Sequence, residues 1–93
     1  MPNRSQPETT LAYQTRRVLP GLSPAERKLM RLILTAGSPP PLGRVADLAD
    51  YAGVSAPTVL RTVAKLGFSN YSSFRQRAVR ELSKKGTSAL SQM

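Results

Sequence analysis

Arg61 and Lys65 stand one helical turn apart, on the opposite side of a stretch whose apolar face is Val59, Val63 and Leu66. An arginine or lysine held outward on a helix can pair with O6 and N7 of guanine in the major groove of duplex DNA. Ala56, Pro57, Leu60 and Ala64 share the outer side, where small or apolar groups can press on thymine methyls. These six residues form the candidate base-reading set. Ser55 and Thr58, at the start of the same stretch, and Arg44, Arg75 and Arg77 outside it are candidate phosphate contacts. Ser55 has a second use as a helix cap, and Thr58 can serve in the same place.

Such side chains read a groove only if a second element presents their helix to the solvent. Residues 45–67 read VADLADYAGVSAPTVLRTVAKLG, which predicts a helix, a tight glycine turn and a second helix. Leu48, Ala49 and Ala52 give the first helix one small apolar face, so the two helices can cross closely. Gly53 follows, where a chain leaving a helix sharply needs a left-handed residue that glycine adopts without steric cost. Val54 is placed to plug the corner. Ser55 is a cap for the second helix, and Pro57 falls in its first turn, where the missing N–H has no intrahelical partner to lose. The pattern is that of a helix-turn-helix.

Charge points the same way. Fourteen lysines and arginines oppose five acids over 93 residues, for a net charge of +9, and ten of the fourteen are arginine. A polyanionic partner follows, met by the cation best suited to forked contact with phosphate and guanine edges. With no cysteine and no histidine there is no disulfide framework, no Cys/His zinc site and no histidine general base. Glu8, Glu26, Asp47, Asp50 and Glu81 are scattered, without a nucleophile and base pair or a phosphate-binding glycine loop, so an enzyme is not expected. No metal or cofactor is expected either. The start, MPNRSQPETT, has no apolar run and no stretch is long enough to span a bilayer, so a cytoplasmic location without membrane attachment is expected.

In chain order, residues 1–8 form a polar arm with nothing to bury, expected to be disordered. Thr9 or Thr10 caps a short helix reaching Leu19, with Leu11, Thr15, Val18 and Leu19 on one side, stopped by Pro20 and Gly21. Ser23, Pro24 and Glu26 make a capping box for the next helix, which turns Leu29, Leu32, Ile33 and Ala36 inward. Gly37 and three consecutive prolines then make a stiff loop that Leu42 anchors to the core. After Gly67, Phe68 and Tyr71 are expected to be at least half buried. A last helix over residues 72–85 turns Phe74, Ala78, Val79 and Leu82 inward, and Gly86 ends it. The whole is an all-α fold of five short helices: a domain over residues 9–85 and a flexible tail over 86–93.

Leu22, Ser23, Pro24, Ala25, Glu26 and Arg27, then Val45, Ala46, Asp47, Leu48 and Ala49, then Ala52, Gly53, Val54 and Ser55, together with Thr58, Val59 and Arg61, carry a family likeness. Lys65, Leu66, Gly67, Phe68 and Tyr71 complete it. Over residues 11–82 the chain resembles the amino-terminal DNA-binding domain of RpiR-type bacterial transcription regulators. The resemblance implies control of sugar or sugar-phosphate metabolism genes. It also implies a carboxy-terminal sugar-isomerase-like domain, not contained in these residues, that binds a sugar-phosphate effector and assists dimerisation. The chain departs from the pattern in four places. The first motif helix must start on Gly43 or on a non-capping Arg44 where a serine cap is usual, a loss of about 1 kcal/mol. Thr62 replaces a large aromatic, Ala64 a second basic residue, and Asn70 a glycine whose left-handed backbone asparagine also tolerates.

The expected function is sequence-specific binding of double-stranded DNA by a transcription regulator acting as a homodimer on an inverted repeat. A basic RNA-binding or ribosome-associated module is the alternative that charge alone would permit. Another is a protein-interaction domain with Leu11, Val18 and Leu19 as its dimer face.

Overall fold

The computed structural model of the chain describes the backbone of residues 10–91 and the side chains of residues 10–82. The expected disordered arm over residues 1–8 lies outside the described residues. Among the described residues five α-helices follow in order, α1 Leu11–Val18, α2 Pro24–Leu34, α3 Val45–Ala52, α4 Ala56–Lys65 and α5 Tyr71–Ser91, with a 3-10 turn at Leu19–Gly21. The all-α reading is confirmed, and no strand occurs among the described residues.

Local chemistry explains where each helix begins. The Tyr13 N–H donates to Thr10 Oγ1 at 3.1 Å, which settles the cap of α1 on Thr10. At α2 the Glu26 N–H donates to Ser23 Oγ at 3.2 Å and the Ser23 N–H donates back to Glu26 Oε1 at 2.8 Å, a complete capping box. α3 starts on Arg44 with no side-chain cap, as its residue type implies. α4 starts on Ser55, whose Oγ accepts from the Thr58 N–H at 3.2 Å.

The corner between α3 and α4 closes as the glycine predicts. Gly53 has φ 71°, and the Val54 N–H reaches the Ala49 carbonyl at 3.0 Å, the long-range bond of a Schellman cap. Gly67, at φ 103°, does the same for α4, with the Phe68 N–H on the Val63 carbonyl at 3.2 Å. Gly53→Ala will destabilise the domain by about 1–2 kcal/mol, the cost of a left-handed backbone for an L-residue. The added Cβ would meet only the flexible tip of Lys28, at 3.1 Å, which can move. A lowered urea midpoint with unchanged slope checks this, whereas an unshifted midpoint would mean that the corner relaxes freely.

The core is one cluster shared by all five helices: Leu11, Leu29, Met30, Ile33, Leu42, Leu48, Ala49, Ala52, Val59, Val63, Leu66, Phe74 and Ala78. Leu42 anchors the proline loop as its position implies, and the Tyr71 hydroxyl donates to its carbonyl at 2.7 Å. Burial pushes the Tyr71 phenol above its ordinary value against the opposing pull of Arg75, so it stays a donor. Phe68 and Tyr71 are partly buried around Phe74, the former edge-on at 5.7 Å between ring centres.

Several expectations change. Leu19 is exposed rather than inward, because Pro20 closes α1 at Val18 and the chain leaves in a 3-10 turn. Leu11 is fully buried, so it cannot form a dimer face with Val18 and Leu19. Val79 is exposed: α5 buries the Phe74 and Ala78 stripe, and Val79 stands at its margin, 39% exposed. α5 continues through Gly86 to Ser91. A lone glycine costs a helix about 1 kcal/mol, and no proline or second glycine follows to turn that cost into a stop.

Candidate nucleic-acid interface

α4 buries Thr58, Val59, Thr62 and Val63, and those positions fix which side is left outside. Pro57, Leu60, Arg61, Ala64 and Lys65 are exposed and Ala56 is half-buried, so the six expected reading positions do share the outer side of α4. Leu60 is the most exposed large apolar side chain described, at 47%. Thr62 fills the place of an aromatic by burying its methyl while its hydroxyl donates to the Thr58 carbonyl at 2.7 Å. Small residues on α3 let α4 sit close above it without lifting away from the core.

The two cations are less alike than their spacing suggests. Lys65 places its ammonium 2.8 Å from Glu26 Oε1 and 2.9 Å from the Gly21 carbonyl, toward α2. Arg61 lies 3.5 Å from Glu26 Oε2 through Nε, and its Nη2 reaches Thr58 Oγ1 at 3.3 Å. Its side chain remains 60% exposed, against 40% for Lys65. Beneath both lies Glu26, 1% exposed. Sequence reasoning assigned Glu26 to the capping box and missed this second role. No local signal could have shown it, because a cap carboxylate on one helix faces α4 only after folding.

Burial by itself would raise the Glu26 carboxyl. The Lys65 ammonium, the Ser23 N–H and the Arg61 guanidinium outweigh it and hold the group below its ordinary value of 4.5. A carboxyl whose folded pKa lies below its unfolded one contributes stability above the unfolded value and loses it as pH falls through the folded one. Stability should therefore be at its full value above about pH 4.5 and decline on further acidification, more steeply than in Glu26→Gln. Thermal melts across that range check the sign; equal decline in both chains would place the acid-sensitive group elsewhere.

The expected phosphate contacts divide. Ser55 and Arg75 are exposed, and Arg44 is exposed beside Asp47, its Nε 3.3 Å from Oδ2. Such a surface pair yields readily to a stronger anion. Thr58 is buried, with its hydroxyl 2.9 Å from that of Ser55. Arg77 is turned inward, donating to Gln14 Oε1 at 2.6 Å and lying over the Phe68 ring at 5.4 Å. Gln14 also donates to the Leu66 carbonyl at 3.1 Å, which ties α1 to the end of α4. Tyr51, on α3 and 42% exposed, is a surface group that the sequence reading did not weigh.

Two helices crossing at a left-handed glycine corner, the second held outward on the first, define a helix-turn-helix domain. The family model of the rpiR-family helix-turn-helix domain matches residues 9–85, and the chain belongs to that family. It is therefore a DNA-binding domain of a transcription regulator. No curated protein and no solved structure matches the chain. No helix among the described residues is long and apolar enough to cross a membrane.

Proposed function

We propose that the chain binds double-stranded DNA sequence-specifically, laying α4 in the major groove. Arg61 reads guanine, and Leu60, Pro57, Ala56 and Ala64 pack against base edges. Lys65 joins the base contacts through the ammonium N–H that Glu26 and the Gly21 carbonyl leave over, so that its pairing with Glu26 persists at the preferred site. Ser55, Arg44 and Arg75 meet phosphates to either side, while Thr58 and Arg77 act by holding Arg61 and the end of α4 in place. One observation carries the reading: on α4 every position of the expected reading face is outside the core, and the exposed residues include a long cation and a large aliphatic side chain.

A single helix with one or two long cations covers only a few base pairs, so the reading extends to a homodimer on an inverted repeat. Its half-sites would lie about one helical turn, ~34 Å, apart. Family membership supports the further proposal that the regulated genes serve sugar or sugar-phosphate metabolism in the bacterial cytoplasm. The effector would then act through a domain outside these residues.

Selection from a randomised duplex pool at near-physiological salt, followed by sequencing, tests the proposal. Enrichment of a short motif repeated as a palindrome is the expected result. Retention without any enriched sequence would leave charge alone at work, and preference for single-stranded RNA over duplex would favour the RNA-binding alternative.

A further inference from the structure

We infer that Glu26 is a positioning residue for DNA specificity, holding Arg61 and Lys65 of α4 in one arrangement over the outer face and away from indiscriminate phosphate binding. The inference rests on the duplex-reading role proposed above for those two side chains.

The capping box of α2 needs one carboxylate oxygen, and Oε1 supplies it to the Ser23 N–H. The remaining capacity of the group goes to α4: Oε1 also takes the Lys65 ammonium at 2.8 Å, and Oε2 faces Arg61 Nε at 3.5 Å. The anion is buried while both cations reach the surface, so the charge that organises the face is hidden from a ligand that touches only the cations. Each cation is also held from a second side, Lys65 by the Gly21 carbonyl and Arg61 by Thr58 Oγ1. A guanidinium has more N–H donors than these two contacts use, so Arg61 can stay braced through Nε while its outer edge meets a base.

Two physical consequences follow. A braced arginine loses less side-chain freedom when it docks on a guanine, which favours the correct site. A lysine already paired with an internal anion must give that anion up to bind a phosphate, which disfavours every other site. Specificity is the difference between the two affinities, and Glu26 widens it from both sides.

The test compares the 93-residue chain with its Glu26→Gln variant on two probes of equal length, the duplex enriched from the random pool and a scrambled duplex. Glutamine keeps the capping geometry and removes the charge. The expected result is a fall of about tenfold in the ratio of the two affinities, the scale of one well-placed base contact. Binding to the scrambled duplex should at the same time gain salt dependence, its logarithmic slope steepening by about 0.9 as Lys65 is freed for one more phosphate. Ser23→Ala breaks the capping box and leaves both ion pairs, so its ratio should match the parent chain.

A folded Glu26→Gln with ratio and slope unchanged overturns the inference, and so does an equal loss of ratio in Ser23→Ala. If Glu26→Gln does not fold, Glu26→Asp decides: it keeps the charge but draws the carboxylate back, so a fallen ratio supports the inference and an unchanged one overturns it. A parent chain that enriches no motif at all removes the duplex-reading role itself, a failure distinguishable from the others because it is seen before any substitution is made.

Discussion

Phe74→Ala will lower the free energy of unfolding by about 3–5 kcal/mol, the usual cost of deleting a buried phenyl ring. The ring is 1% exposed, the largest fully buried side chain described, and it sits where α5 closes over the core. Phe68 meets its edge at 5.7 Å and Tyr71 lies tilted against it at 5.8 Å, so the truncation also strips packing from both neighbours. Tyr71 in turn holds the Leu42 carbonyl, and through it the loop leading to α3. A domain of this size has only about 5–15 kcal/mol of total stability, so the variant should be partly unfolded near 37 °C. Urea unfolding followed by circular dichroism measures the loss. A change below about 1 kcal/mol would show that the site collapses around the void.

Arg61→Ala has the largest effect expected on binding. It should lose about 1–3 kcal/mol on the preferred duplex and relax the preference at one base position, because a forked guanine contact disappears. Little stability should go with it, since the side chain is 60% exposed and Glu26 keeps Lys65 at 2.8 Å. The measurement is the sequence profile of the variant beside that of the parent chain, from the same random pool. A uniform loss across all sequences would make Arg61 a phosphate contact and would leave Leu60, the large exposed aliphatic side chain of α4, as the main candidate for readout.

The starts of α1, α2 and α4 and the ends of α3 and α4 were legible because their signals are local. Thr10, Ser23 and Ser55 each cap the helix they precede, and Gly53 and Gly67 take the left-handed backbone that ends α3 and α4. The three inward positions on α3, and Val59 and Val63 on α4 with Leu66 at its C-cap, follow from helical period alone. Period is weaker at the margins of a stripe. It placed Val79 inside and left Met30 out, whereas burial depends on which helix lies across each flank, and Met30 is wholly covered while Val79 is not.

What the sequence by itself determined is the order of helices, the glycine corner, and the set of residues on the outer face of α4. Each depends on neighbours within about one or two turns of the same chain. Only the tertiary structure decided how the charges on that face are shared. Glu26 and Lys65 are separated by 39 positions, and Arg77 and Gln14 by 63. A cap glutamate and a surface lysine carry no mark that they will meet. Their pairing is set by how α2 packs against α4, and ion pairs depend on distances of a few ångströms that helical period does not encode. The resulting division, with Arg61 braced and largely exposed and Lys65 drawn toward α2, belongs to the fold.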